Sequence, residues 1–286
     1  MGDQIRHVLT LQCPEGMGIA HDVTGFLVEH ERTIVELKQY DDMSSQRLFM
    51  RVDFAGDDVP GLLEKMRREF APIAAERQME WQLRERGQRT QVLIMVSKFE
   101  HCLNDLLHRA HTGSLPIDIV GVVSNHPDHR SLVEWHKVPF HHIPVTKDTK
   151  PEAEAKLEEI IEATGTELVV LARYMQIFSD ELSTKLSGRT INIHHSFLPS
   201  FKGAKPYHQA WDRGVKTVGA TAHYVNAELD EGPIIAQQVQ EVDHTYTAED
   251  LVVAGRDTEA KALSNAVKWH CEGRVFLWGN RTVVLR

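Results

Sequence analysis

No apolar run in this chain of 286 residues approaches the ~20 that span a bilayer, and the N-terminal Met-Gly-Asp-Gln-Ile-Arg has no apolar leader core. A membrane span and a secretory leader are therefore not expected, and the cytoplasm is the simplest address. Cysteine is scarce: Cys13, Cys102 and Cys271 are odd in number and widely separated, which excludes the paired spacing of a disulfide framework or a zinc site. They read as reduced, structural thiols. A surplus of positive charge is also lacking. With 32 Lys and Arg against 41 Asp and Glu, the net charge of -9 argues against a nucleic-acid partner held by phosphate neutralisation. Low-complexity stretches are absent, and 42% hydrophobic with 26% charged residues is an ordinary globular balance, so order is expected nearly throughout. The length accommodates two compact units without a metal or disulfide staple.

The first segment reads as strand, turn and helix: an apolar run at Val8 to Gln12, a glycine-containing turn at Cys13 to Gly18, then helical spacing at Ile19, Val23, Phe26 and Leu27. Two strand-like runs follow, Thr33 to Tyr40 and Leu48 to Phe54, joined by the polar turn Asp41 to Gln46. Pro60 opens a second amphipathic helix with Leu62, Leu63, Met66 and Phe70, and Met79 to Leu83 closes the unit. The order βαββαβ is the split, ferredoxin-like arrangement. Polar residues with one glycine, Arg84 to Thr90, then interrupt every periodicity, so the expected domains are 1–84, a linker at 85–90, and 91–286. Beyond the linker, continuous apolar strands (Val92 to Val96, Ile117 to Val123, Leu168 to Leu171, Ile191 to Ile193) alternate with helices, as buried parallel strands do. Such α/β sheets place ligands beyond the carboxyl ends of the strands. The residues to inspect are therefore Ser97 and Lys98, Ser124 to His126, Ala172 to Phe178, and His194 onward.

Two segments carry most of the chemistry. In Ile191-Asn192-Ile193-His194-His195-Ser196, a buried strand ends in polar residues, and alternation puts Asn192 and His194 on one face with His195 on the other. In Gly219 to Ile235, acidic residues including Glu228, Asp230 and Glu231 sit in a tight turn between two apolar strands. A carboxylate beside an imidazole and an amide supplies what acyl-group hydrolysis needs: a base for water, a donor for the oxyanion, and a proton for the leaving nitrogen. Taken alone, Asn192 and His194 are equally readable as a strand-end pair satisfying loop backbone groups.

The Asn192-Ile193-His194 element, the Leu198-Pro199-Ser200-Phe201 loop and the Leu229-Asp230-Glu231-Gly232-Pro233-Ile234-Ile235 turn resemble the folate-dependent formyltransferase superfamily, and specifically the formyltetrahydrofolate deformylases. Cys13 to Ile19 resembles the first loop of an ACT domain, and Leu48-Phe49-Met50-Arg51 the deformylase form of its third strand. Val242 to Asp250 is similar to the same family. The resemblance covers essentially the whole chain. It implies an N-terminal ACT-type domain ahead of a Rossmann-like formyltransferase domain with a mostly parallel sheet. It also implies hydrolysis of 10-formyltetrahydrofolate to tetrahydrofolate and formate, which supplies formate for purine synthesis and balances the one-carbon folate pool. The implied catalytic trio is Asn192, His194 and Asp230; Met175, Gln176, Ile177 and Phe178 would line the folate site, bordered by His208, Asn226, Glu228, Leu229 and Glu231. No metal and no cofactor besides the folate substrate are implied, whereas an amino-acid effector (glycine or methionine) and a homo-oligomer are. Gln176, where the wider superfamily often has arginine, and Met17, where ACT loops often have proline, are departures from the pattern.

A metal pair at His194 and His195 is disfavoured by strand alternation and by the lack of any His-Glu-x-x-His spacing. Cys102, beside Leu103, Leu106 and Leu107 at helical spacing, reads as a core thiol and not a nucleophile. A glycinamide ribonucleotide formyltransferase would share the trio, but it needs a glycine-rich turn to cradle phosphate, and Val96 to His101 contains no glycine and a carboxylate, Glu100. A methionyl-tRNA formyltransferase would append a basic domain. A non-enzymatic amino-acid sensor would have no need of all three polar residues.

Overall fold

The computed structural model describes residues 4–195, 206–228 and 230–286. It divides into two compact units: residues up to Gln88 with Glu272–Phe276 and Val283–Arg286, and Arg89–Cys271 with Leu277–Thr282.

The first unit runs β1 (Gln4–Pro14), α1 (Ile19–Glu29), β2 (Thr33–Asp42), β3 (Arg47–Asp57), α2 (Leu62–Glu76) and β4 (Glu80–Glu85). The antiparallel sheet has the order β2-β3-β1-β4, which is the ferredoxin-like topology. The β2–β3 turn is closed by Asp42, whose carboxylate accepts from Ser44 N and Oγ and from Ser45 Oγ. Leu9, Leu11, Met50, Val52 and Phe54 on one sheet face pack with Val23, Phe26 and Leu27 of α1 and Met66 and Phe70 of α2.

β3 is buried along both faces. Its second face carries Phe49, Arg51 and Asp53, and the residues that cover it come from the far end of the chain: Phe276 meets Phe49 edge-on at 5.8 Å, and Arg51 Nε donates to the Glu272 carbonyl at 3.1 Å. Arg51 is 2% exposed, and its Nη1 donates to Glu36 Oε2 at 2.9 Å. Burying a phenylalanine side chain stabilises by roughly 1.5–3 kcal/mol, whereas a buried guanidinium is tolerated only when paired. The sequence reading assigned everything from 91 to 286 to one domain. The structure instead returns Glu272–Phe276 and Val283–Arg286 to the first unit, because this half-apolar, half-charged face needs a cover.

The second unit contains β5 (Thr90–Val96), α3 (His101–His111), β6 (Ile117–Ser124), α4 (Arg130–Trp135), β7 (Phe140–His142), α5 (Lys150–Ala163), β8 (Leu168–Leu171), α6 (Asp180–Lys185), β9 (Thr190–His194), α7 (Pro206–Asp212), β10 (Thr217–Tyr224), β11 (Ile234–Glu241) and α8 (Ala248–Cys271). A ribbon of β12 (Val275–Trp278) and β13 (Arg281–Val284) closes the chain. The seven-stranded sheet has the order β11-β10-β9-β8-β5-β6-β7; β5 to β9 are mutually parallel, and β10 runs antiparallel to both of its neighbours, β9 and β11. Strand order reverses at β5, flanked by β6 and β8, so the crevice beyond the β5 and β8 ends is the expected ligand position. Leu93, Met95, Val123, Val169 and Leu171 form its core with Leu157 and Ile161 of α5 and Leu182 of α6. α8 starts at a capping box: Asp250 N donates to Thr247 Oγ1, and Thr247 N donates to Asp250 Oδ2. Among the described residues no helix is long and apolar enough to cross a membrane.

Candidate active site

β9 pairs antiparallel with β10, bringing His223 opposite Asn192 and Thr221 opposite His194. The β10–β11 turn folds Asp230 back over the same edge. Asp230 holds a left-handed backbone (φ 57), which aspartate tolerates better than most residues. The turn passes so close to β10 that a Cβ on Gly232 would lie 1.7 Å from the Tyr224 carbonyl oxygen, so only glycine fits.

Asn192 and His194 converge on the Asp230 carboxylate. Asn192 Nδ2 donates to Asp230 Oδ1 at 3.4 Å, and His194 Nδ1 lies 3.2 Å from Asp230 Oδ2. The hydrogen bond from His194 outweighs burial and holds the Asp230 carboxyl below the usual carboxylate range. His223 completes the arrangement. Its Nδ1 faces the Tyr224 carbonyl at 2.8 Å and must carry the proton there, so Nε2 accepts from Asn192 Nδ2 at 3.3 Å. Burial pushes His223 below the ordinary imidazole value, against the pull of that carbonyl and of Asp230, which favours the neutral ring this bonding requires. The amide orientation of Asn192 is thus set by an imidazole that sequence reading did not single out. Its signal was available in strand alternation along β10.

A cleft of about 280 Å³ opens over these groups. Met175, Gln176, Ile177, Phe178, Asn226 and Glu228 line it along with Asn192, His194 and Asp230. The Met175 segment is anchored by Ser97, whose Oγ accepts from Met175 N at 3.0 Å and donates to Asn125 Oδ1 at 2.7 Å. Asn226 shapes the following turn by accepting from Glu228 N. His208 is exposed on α7, and Glu231 is exposed after the turn; neither lines the cleft. Leu229 lies outside the described residues, as does the Leu198 to Phe201 loop.

His195 departs from expectation. Alternation would turn it away from His194, but β9 ends at His194 and the pleat ends with it. The two rings stack, with centroids 5.0 Å apart and planes 22° from parallel, and both line the cleft. Arg173, after β8, also lines the cleft, and its Nη1 donates to His195 Nδ1 at 2.7 Å.

Behind Arg173 lies a buried carboxylate on α8. Glu259 is 1% exposed; its Oε1 accepts from Tyr207 Oη at 2.8 Å, and its Oε2 lies 2.8 Å from His101 Nε2 and 3.3 Å from Arg173 Nε. Burial alone would raise this carboxyl, but His101, Arg173 and Tyr207 together hold it below its ordinary value. His101, Cys102 and Glu259 each bring one donor atom within 4.8 Å of the others. The guanidinium already beside Glu259 supplies the positive charge there, so the cluster is an ion-pair network. Burial pushes the Cys102 thiol well up, as befits a core residue and not a nucleophile.

Residues 90–267 match the family described as formyl transferase. The chain is 77% identical over its full length to the formyltetrahydrofolate deformylase of Corynebacterium sp. strain P-1, covering all of both proteins. The crystal structure of a formyltetrahydrofolate deformylase from Burkholderia mallei superposes with a TM-score of 0.94 at 52% identity, covering 99% of this chain and 100% of that one. A glycinamide ribonucleotide transformylase from Symbiobacterium toebii aligns with a TM-score of 0.64 at 30% identity, over 71% of this chain and 97% of that one.

Proposed function

Because the chain belongs to the formyltetrahydrofolate deformylase family, we propose that it hydrolyses 10-formyltetrahydrofolate to tetrahydrofolate and formate, with Asn192, His194 and Asp230 as its catalytic residues. The observation that carries this reading is the convergence of an amide and an imidazole on the one carboxylate in the cleft. Asp230, held as a carboxylate, takes a proton from a bound water as that water attacks the formyl carbon. Asn192 and His194 hold the oxygen that becomes negative in the tetrahedral intermediate. To do so, Asn192 releases its long bond to Asp230, while His223 keeps the amide oriented. Collapse breaks the carbon–nitrogen bond, and the nitrogen leaves with a proton from Asp230 or His194.

Met175, Gln176, Ile177, Phe178, Asn226 and Glu228 hold the folate, with Phe178 buried and Met175 and Ile177 exposed to receive a flat ring. Water is favoured over a phosphorylated amine as acceptor because the turn after β5 carries Phe99 and Glu100 and no glycine amides.

The first unit has the character of an ACT-type sensor. A polar hollow of about 730 Å³ lies between the Pro14 to Ile19 loop and Gln39, Asp41 and Gln46, with ample room for an amino acid such as glycine or methionine. Val35, Leu37 and Tyr40 are exposed on the edge strand β2, which supports side-by-side pairing of two copies. Three buried free thiols suit a reducing cytoplasm.

The test is formate release from 10-formyltetrahydrofolate with no amine present. Formate and tetrahydrofolate should appear in equal amounts, and glycinamide ribonucleotide should leave the product unchanged. Formylated nucleotide with negligible acceptor-free turnover would overturn the assignment.

A further inference from the structure

Two imidazoles stacked 5.0 Å apart beside a carboxylate pose a question of proton ownership. Both rings cannot be cations at that distance without repulsion in a partly dry site. The structure resolves it through a chain of contacts that sequence reading did not connect. Arg173 presents Nη1 to Nδ1 of His195, and a guanidinium can only donate. Nδ1 of His195 must therefore keep its lone pair, so the ring carries its single proton on Nε2. Arg173 is held for this task at some cost: its backbone is left-handed (φ 64), a conformation unfavourable for a side chain of this size. Its carbonyl accepts from Ser97 N at 3.2 Å, and its guanidinium faces the Phe99 ring at 5.3 Å. Its charge is balanced by Glu259, which Tyr207 and His101 fix from two further helices.

We propose that Glu259, acting through Arg173, is a positioning residue that keeps Nδ1 of His195 an acceptor, so that of the two stacked imidazoles only His194 shares a proton with Asp230. His195 then serves the cleft as an uncharged Nε2–H donor. The inference rests on the hydrolase reading above for what that proton does, but not for where it sits. Pairs of titratable groups whose surroundings separate their protonation are a recurring way to divide acid and base roles. The groups around His195 act in the same sense: burial first, then the Arg173 charge and His194, pull it down to about 4, against Glu259 and Asp230.

The experiment uses the full-length protein labelled with 15N at histidine. In the substrate-free wild type, His195 should show an unprotonated Nδ1 and a protonated Nε2, unchanged from about pH 5 to 8, where a free imidazole titrates. In Arg173→Met the ring should titrate at a higher pH than in the wild type, with burial still holding it below a free imidazole, and kcat should fall roughly ten- to a hundredfold with KM little changed, less than the ~10²–10⁴ of a full acid–base group. Arg173→Lys should restore part of kcat. If Arg173→Met is not folded by circular dichroism, Glu259→Gln, nearly isosteric, tests the anchor instead: the guanidinium loses its partner and its fixed hold on Nδ1, so kcat should fall in the same direction while His195 stays neutral through the window, and a kcat within about twofold of wild type overturns the proposal. A wild-type His195 with its proton on Nδ1, or one that titrates within the window, overturns the proposal. So does a folded Arg173→Met whose kcat stays within about twofold of wild type, since general acid–base loss should exceed that. No formate from the wild type would instead overturn the hydrolase reading, leaving the tautomer measurement to stand or fall separately.

Discussion

Asn192 has two amide hydrogens, and the structure commits one to Asp230 and the other to His223. Only the first can be lent to a substrate, because the second fixes the amide's orientation. Asn192→Ala should therefore lower kcat on the order of 10²–10³, the loss seen when an oxyanion donor is removed. Asp230→Asn should reduce kcat at least as far while leaving folate binding largely intact, a split that steady-state kinetics and equilibrium titration read separately. Acid should also loosen the fold. His195 is pulled from 6.5 to about 4 in the folded chain, and His223 is shifted the same way. Between those values the unfolded chain binds more protons, so stability is full above pH 6.5 and declines as pH falls towards 4. Asp230 and Glu259, both below their ordinary values, add a further loss in the same direction at lower pH. Scanning calorimetry at constant ionic strength should show the melting temperature falling on this acid side; a flat profile from 6.5 to 4 would contradict the neutral state of the two rings.

Among the elements, α8 and the β10–β11 turn depend on two close approaches. A Cβ on Gly255 would lie 2.1 Å from Tyr207 Cζ, so this glycine admits the ring that reaches Glu259 one helical turn later. Gly255→Ala should cost about 1–3 kcal/mol, as overpacking usually does. Gly232→Ala should be worse for activity than for stability, because it displaces the turn that carries Asp230; thermal melting beside a formate assay distinguishes the two variants. Removing the capping box with Thr247→Ala should cost about 1 kcal/mol and leave kcat alone. These elements also mark how far the sequence was legible. The apolar runs at Val92 to Val96 and Leu168 to Leu171 announced buried parallel strands, and the βαββαβ order of the first unit followed from its two periodicities. Asn192 and His194 shared a face as alternation required. Alternation misplaced His195 because it lies one residue past the last ladder pair, where the pleat no longer dictates direction. Arg173 and Glu259, 86 positions apart by their numbering, meet only through tertiary packing, and no local pattern announces a buried ion pair.

At the scale of the whole molecule, the effector hollow proposed for the first unit makes an allosteric coupling testable. Glycine or methionine should give measurable heat in calorimetry and change the rate of formate release; no heat with any common amino acid and unchanged kinetics would remove the sensor role. The second face of β3 has another consequence. Phe49 and Arg51 are covered by Phe276 and Glu272, residues that leave the ribosome more than 200 positions after the strand they protect. During synthesis the first unit therefore emerges with one side of its sheet bare. Its core on the other face, built from Leu9 to Leu83, needs nothing later, but this face stays uncovered until nearly the entire polypeptide has been made. Its N-terminal position does not make it the first to mature, and a nascent chain halted before Glu272 exposes an apolar, charged sheet face to whatever chaperone waits at the tunnel exit.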